Sequence, residues 1–413
     1  MHHLPTIDHV DVQGKTVLVR ADLNVPIKEG KILDASRVER VVPTVAELMR
    51  KGARVVLLSH FGRPEGKVVP SLTLHPIVQI LSQILKQNVS FASDCIGESA
   101  RTTIVSLKPG EVCLLENLRF EAGEEKNDPL FSEKLSRLGD IYINDGFSVS
   151  HRAHASVEGI THFLPSYAGR LMQEEVEALQ QSLEHPQRPI LACVAGSKIS
   201  TKLELLKNLV SKMDYLVLGG GIANTFLLGR GIPVGASLVE KEMLPLAQRI
   251  EEEARKKGCT IVLPIDVVVA MEHENALFHQ ETGLNDIQTN QKIFDLGPTS
   301  CQLIKNLLKE VKTVVWNGPL GVFEQPPFDT GTTDIAQEVA RLTRKGKLFS
   351  IAGGGETVAA LNSSGSGKDF SYLSTAGGAF LEWLEGKTLP GVAALFDASR
   401  ITSKEENKIK EPA

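Results

Sequence analysis

The 413-residue chain is 42% hydrophobic and 23% charged, with a net charge of -5. That is the profile of a globular protein too long for one core, so two domains of roughly 170 to 200 residues are expected. General nucleic-acid binding is excluded, because counterion release needs a dense basic face and the sequence has no such run; any grip on anions must be local.

Cys95, Cys113, Cys193, Cys259 and Cys301 are far apart and form no CxxC pair, which argues against a zinc site or a disulfide framework and fits a reduced cytosol. The start, MHHLPTIDHV, lacks a cationic region followed by an apolar one, so a cytoplasmic location is expected. The longest apolar stretch, near Ile261 to Met271, is broken by Asp266 and falls short of the ~20 residues of a membrane span.

Short β-branched runs alternate with amphipathic segments along the chain. Strands are predicted over Thr16 to Arg20, Arg54 to Leu58, Val112 to Leu115 and Ile141 to Asn144, then over Ile190 to Val194, Tyr215 to Leu218, Thr260 to Leu263, Thr313 to Trp316 and Leu348 to Ala352. Helical spacing marks Arg37 to Met49, Lys202 to Val210, Glu242 to Lys257 and Asp334 to Arg344. Strict alternation of this kind implies an α/β fold of parallel sheets covered on both faces, with ligands at the carboxyl ends of strands. One long helix is predicted from Leu164 to Pro189, on the recurrence of Met172, Val176, Leu179 and Leu183 at steps of three and four. The Asn362 to Lys368 loop is rich in Ser and Gly, and the charged tail after Arg400 is expected to fray.

Before that helix the motifs are built from arginine, histidine and asparagine. VRADLNVP sets Asp22 and Asn24 in a turn after the first strand; a carboxylate beside an amide suits hydroxyl groups, and an ordinary Asx turn explains the pair as well. Ser36 and Glu39 suggest a capping box that starts a helix at Arg37, a poor place for a cation unless an anion lies near. SHFGRP brings His60 and Arg63, ENLRF brings Arg119, and NDGFSVSHRAHAS brings His151, Arg152 and His154. Each group falls just past a predicted strand end, so the cations should converge on a small, multiply anionic ligand, which guanidinium forks match.

After the helix the motifs turn to glycine, lysine and acids. AGSKISTK puts Lys198 and Lys202 near a helix start, where two ammonium groups and free amides would face a polyphosphate. Gly219, Gly220 and Gly221 follow a strand and leave room for a flat ring against the backbone. Glu324 in VWNGPLGVFE is a candidate acceptor for ribose hydroxyls, and GGGET (Gly353, Gly354, Gly355, Glu356, Thr357) leads from strand to helix as a phosphate cradle with an acid for Mg²⁺. A dehydrogenase fingerprint is absent: Asn224 and Val358 stand where the last glycine of GxGxxG belongs. Gly14, Lys15 and Thr16 imitate a Walker motif, but His9 replaces its first glycine and a strand follows.

Taken in order, VRADLNVP, SHFGRP, ENLRF, NDGFSVSHRAHAS, GSKISTK, LGGGIANTF, VWNGPLGVFE, GGGET and STAGGAFLEWL make the chain resemble the phosphoglycerate kinase family over nearly its whole length. The resemblance implies two Rossmann-like domains with parallel sheets joined by a hinge helix. A phosphoglycerate-binding domain would span 1–165, the hinge helix 166–189 and a nucleotide-binding domain 190–388, while 389–413 would return to the first domain. It implies reversible phosphoryl transfer from 1,3-bisphosphoglycerate to ADP in glycolysis, giving 3-phosphoglycerate and ATP, by a cytoplasmic monomer of two hinged domains that uses Mg²⁺. Closure, which expels water and assembles the site, is expected to need both ligands together.

By the same resemblance, Asp22 and Asn24 would hold the glycerate end, and His60, Arg63, Arg119 and Arg152 the phosphate that stays. Arg37 and Lys198 would neutralise the phosphoryl group in transit, Lys202 would hold the α-phosphate region, Glu324 the ribose, and the GGGET turn the terminal phosphates and metal. The chain departs from the family pattern at Glu356, where aspartate is usual, at Ala195, Gly196 and Ser197 in place of Gly-Gly-Ala, at Ala376, and at Ile293, where a glycine often meets adenine. None of these changes removes a charge.

Overall fold

The computed structural model describes residues 4–28, 31–273 and 276–398. The chain divides into two compact units: one runs through Val176 and resumes at Thr388, and the other is Glu177–Lys387. The tail after Arg400 lies outside the described residues.

In the first unit six strands form a parallel sheet in the order Val89–Phe91, Val112–Leu114, Arg54–Leu58, Thr16–Arg20, Ile141–Asn144, Ser166–Ala168. Alternation along these strands feeds two cores, one per face. Val17, Val19, Val55 and Leu57 meet Val41, Val45 and Leu48 of the helix Ser36–Arg50. Leu18, Val56, Leu58 and Tyr142 face Ala100, Ile104 and Leu135 on the other side. Burial on both faces is why the strands read as unbroken apolar runs in the sequence.

The second unit repeats the plan in the order Thr260–Val262, Tyr215–Gly219, Ile190–Ala195, Thr313–Asn317, Phe349–Gly353, Tyr372–Ser374, again all parallel. It adds an antiparallel sheet of Ala276–Gly283, Asp266–His273 and Lys292–Leu296, which the alternation rule does not reveal. Asp266, the break in the apolar stretch, begins the central strand of that sheet. Its carboxylate accepts from the Thr299 and Ser300 amides at 2.8 and 2.7 Å and so caps the helix Pro298–Leu308. Among the described residues no helix is long and apolar enough to cross a membrane.

In each sheet the strand order reverses next to the first strand: between Thr16–Arg20 and Ile141–Asn144, and between Ile190–Ala195 and Thr313–Asn317. Loops from the two flanking strands diverge there and leave a crevice at the carboxyl end.

Two local expectations are corrected. The helix predicted from Leu164 begins only at Arg170 and ends at Leu183, because Ser166–Ala168 pairs as an edge strand with Tyr142–Asn144. Asp145 Oδ1 then accepts from the Leu171 and Met172 amides at 2.9 and 3.2 Å, which supplies the cap. The Ser36/Glu39 capping box does not form. Ala35 is the cap residue, without a side-chain bond, and Asp34 Oδ1 takes the Ser36 amide at 2.8 Å.

Candidate functional site

The carboxyl ends of four adjacent strands of the first unit gather the predicted cations around a residue that was not predicted. Arg20, the last residue of Thr16–Arg20, is 0% exposed. Its Nε donates to Ser156 Oγ at 2.9 Å, its Nη1 to the Ala21 carbonyl, and its Nη2 contacts His60 Nδ1 at 3.2 Å. Arg119 is 8% exposed, donates from Nη1 to the Gly62 carbonyl at 2.8 Å, and lies 3.3 Å from Glu125. Burial, and then the neighbouring charges of Arg20, Arg119, His154 and Arg37, hold His60 well below its usual 6.5. His154 is pushed down to about 4 by burial and by Arg119, Arg20, Arg152 and His151. Both imidazoles are therefore neutral at pH 7, and the arginines carry the charge of this cluster.

Arg152 is exposed and donates from Nε to His151 Nε2 at 3.3 Å. Arg63 is exposed and follows Gly62, whose amide goes to Asn24 Oδ1 at 3.1 Å. Sequence reasoning missed Arg20 because TVLVR reads as a strand with a charged end. The usable signal was its spacing of two from buried Leu18, which sends both side chains to the same face.

Of the two readings the sequence left open for Asp22 and Asn24, the Asx turn forms. Asp22 Oδ1 accepts from the Asn24 amide at 3.1 Å, the Asx-turn bond. Oδ2 takes Arg37 Nη1 at 2.7 Å and the Ser148 hydroxyl at 2.5 Å. Ser148 follows Ile141–Asn144, so Asp22 ties together the two sides of the crevice. Arg37 is held at its anchor and remains 38% exposed.

In the second unit a pocket of about 260 Å³ opens at the corresponding crevice, its wall including Gly196, Gly220, Ile293, Glu324 and Glu356. Glycine is required there. Gly318, at φ +105°, would place a Cβ 2.0 Å from the Ala195 carbonyl oxygen, and Gly221 would place one 2.2 Å from that of Ser197. Glu324 and Glu356 are exposed at the pocket, Glu356 in the first turn of Gly355–Ser363. Gly219 ends a strand behind it. Gly354 takes φ +102°. Thr357 is buried, and its hydroxyl accepts from the Gly318 amide at 2.7 Å, bracing the pocket loop from beneath. Asp295, also on the wall, was not foreseen; it takes the Gly331 amide at 2.7 Å, and burial pushes its carboxyl up to about 7.

Both lysines lie near a helix start, as the sequence suggests, Lys202 being the cap residue of Leu203–Val210, but their side chains differ in exposure. Lys198 is exposed. Lys202 turns inward beneath Gly196, its Nζ donating to the Ala195 carbonyl at 2.8 Å and to Asn317 Oδ1. Burial lowers its pKa to about 8, against a small opposing pull from Glu356. An anionic ligand favours the ammonium form, so affinity for a nucleoside diphosphate is expected to fall as the pH climbs through about 8, while Lys202→Arg should flatten that fall. Titrating ADP from about pH 7 to about pH 9.5 checks this; a level wild-type profile would contradict it.

No group of three or more His, Cys, Asp or Glu side chains among the described residues could cage a metal. A single carboxylate at a phosphate-sized turn nevertheless suits Mg²⁺, which commonly takes one or two protein carboxylates and completes its shell with phosphates and water. Glu356, in the first turn of Gly355–Ser363, is the residue that could provide that carboxylate.

An arginine cluster at one crevice and a glycine-walled pocket with acids at the other are what an α/β phosphotransferase built from two Rossmann-like units would carry. A family model described as phosphoglycerate kinase matches residues 7–387. The phosphoglycerate kinase of Methylorubrum extorquens (strain PA1) is 55% identical over 384 residues, covering 93% of this chain and 96% of that one. The solved structure of phosphoglycerate kinase from Coxiella burnetii matches with a TM-score of 0.90 at 42% identity, over 96% of this chain and 99% of that one. The phosphoglycerate kinase of Pyrococcus horikoshii OT3 matches at 0.79 and 30% identity, over 96% and 100%. The chain belongs to the phosphoglycerate kinase family.

Proposed function

We infer that the chain transfers a phosphoryl group reversibly between 1,3-bisphosphoglycerate and ADP, giving 3-phosphoglycerate and ATP. The observation that carries this is the guanidinium cluster of the first unit: Arg20, Arg119, Arg152 and Arg37 surround two neutral histidines, a setting for a small acid with a phosphate at one end. Asp22 and Asn24 hold the glycerate end; His60, Arg63, Arg119 and Arg152 hold the phosphate that stays. The glycine-walled pocket takes ADP, with Glu324 at the ribose, Lys202 below the α-phosphate region, and Gly219, Gly220, Gly354, Gly355 and Thr357 forming or bracing the phosphate turns.

In the forward step a terminal oxygen of ADP attacks the acyl phosphorus, and the bond from phosphorus to the acyl oxygen breaks to release a carboxylate. No general base is needed, because the attacking oxygen is already ionised in either direction. The protein's work is alignment and charge neutralisation, by Arg37, Lys198 and the amides that open Gly355–Ser363. Glu356 would hold Mg²⁺, which would supply further neutralisation. A cytoplasmic monomer goes with this reading, as do five buried free cysteines.

A coupled assay for ATP formed from ADP and 1,3-bisphosphoglycerate tests the reading, and no ATP above the enzyme-free rate would end it. Chelation with EDTA should abolish turnover. Glu356→Gln should raise the Mg²⁺ needed for half-maximal rate by about tenfold, the order of one lost charged contact, and leave metal-free ADP binding within about twofold by calorimetry. An unchanged Mg²⁺ requirement would remove Glu356 from the metal's shell.

A further inference from the structure

Beneath the guanidinium cluster lies a carboxylate that none of these roles uses. Glu124 is 0% exposed, in the loop between the 3-10 turn Leu118–Phe120 and the helix Pro129–Ser136. Its Oε2 accepts from the Ser156 amide at 3.0 Å and its Oε1 from the Ser156 hydroxyl at 2.6 Å. Its carbonyl takes the Ala155 amide at 2.9 Å, so the segment carrying Arg152 and His154 is fastened to it.

The proton directions along this chain follow from the donors. A guanidinium only donates, so Arg20 Nε makes Ser156 Oγ an acceptor at 2.9 Å. The single hydroxyl proton of Ser156 must then go to Glu124 Oε1. For the same reason Arg20 Nη2, 3.2 Å from His60 Nδ1, makes that nitrogen an acceptor, and in a neutral imidazole the one proton is left on Nε2. Burial and the surrounding arginines keep His60 neutral, so the ring has one donor to offer an anion.

We propose that Glu124 is a positioning residue: through Ser156 and Arg20 it fixes His60 in the Nε2–H form, so that His60 donates a hydrogen bond to the phosphate that stays. The proposal rests on the anion-site reading above. Glu124→Gln removes the arrangement without removing bulk. An amide oxygen can serve one of the two Ser156 donors, while the amide nitrogen confronts the other. If the Ser156 hydroxyl turns to accept from that nitrogen, its proton faces Arg20 Nε and the guanidinium loses its anchor.

The test combines proton-resolved ¹⁵N spectra of the histidines with binding and kinetics. In the unmodified enzyme His60 should show a bare Nδ1 and a protonated Nε2. In Glu124→Gln the two tautomers should mix, KM for 3-phosphoglycerate should rise about tenfold, and KM for ATP and kcat should stay within about threefold, as expected for lost ground-state contacts. Ser156→Ala breaks the relay at its middle and should give the same spectral and KM changes, which keeps the test decisive if Glu124→Gln fails to fold. A proton on Nδ1 in the unmodified enzyme, or a folded variant with the wild-type tautomer and KM, overturns the proposal. If the unmodified enzyme does not bind 3-phosphoglycerate by calorimetry, the anion-site reading fails instead.

Discussion

Replacing Arg37 with alanine is expected to lower kcat by about 10²- to 10³-fold, the usual cost of one donor aimed at developing charge, and to change KM for 3-phosphoglycerate by less than about threefold. Arg37 is already paid for in the resting enzyme: Nη1 is bound to Asp22 Oδ2 at 2.7 Å and to the Asn24 carbonyl at 3.2 Å. A donor held this way needs no reorganisation when charge moves onto the transferring group, and that favours the transition state over the bound substrate. Arg37→Lys should recover little, because an ammonium cannot keep the Asp22 anchor and present a second planar edge at once. Steady-state kinetics in both directions decide the matter. An alanine variant with raised KM and normal kcat would assign Arg37 to substrate holding alone.

That expectation joins a feature legible in the sequence to one that was not. Arg37 drew attention because a cation at a helix start is misplaced unless an anion is near, and the structure confirms a partner. The partner is Asp22, however, and the capping box thought to set the helix start does not form. Ser, Asp and Glu near a helix start offer several equivalent acceptors, and Asp34 satisfies the Ser36 amide at 2.8 Å without Glu39. Which acceptor takes the free amides depends on local backbone placement, which spacing does not encode.

The parallel strands were easier to read. Thr16–Arg20, Arg54–Leu58 and Ile141–Asn144 carry enough buried apolar residues to stand out. Val89–Phe91, Ser166–Ala168 and Tyr372–Ser374 did not, since each has only three residues, one of them a serine, and so shows neither an apolar run nor a period. Ser166–Ala168 was absorbed into the helix pattern that follows it. The anion site was legible in its exposed and loop-borne members, where an arginine after a strand is conspicuous. Its buried support, Arg20, Ser156 and Glu124, was hidden, because only contacts distant in sequence, such as the bond from Arg20 to Ser156, reveal which polar residues lie inside. In the second unit Lys202 was found for its charge, but its inward turn to Ala195 and Asn317 depends on two other strand ends.

Gly318→Ala should do the most damage to the second unit. At φ +105° an alanine is strained, and its Cβ would stand 2.0 Å from the Ala195 carbonyl oxygen and 2.7 Å from that residue's carbonyl carbon. Backbone strain of this kind costs on the order of 1–3 kcal/mol, and forcing a group into filled space costs about as much again. Neither strand can give way freely, because Ile190–Ala195 and Thr313–Asn317 are paired along their length. The loop must move instead. Moving it breaks the Gly318 amide's bond to Thr357 and shifts the Ala195 carbonyl that holds Lys202, so the nucleotide pocket loses its floor together with its stability. The thermal midpoint of this unit is expected to fall by on the order of 10 °C, and ADP affinity by at least about tenfold. Binding of 3-phosphoglycerate should stay within about twofold, since none of the residues proposed to hold it lies in the second unit. Calorimetric scans and separate titrations of the two ligands measure all three quantities. Equal losses of both affinities would show that the damage spreads beyond the nucleotide site, and an unshifted midpoint would mean that the loop accepts a side chain that its backbone contacts forbid.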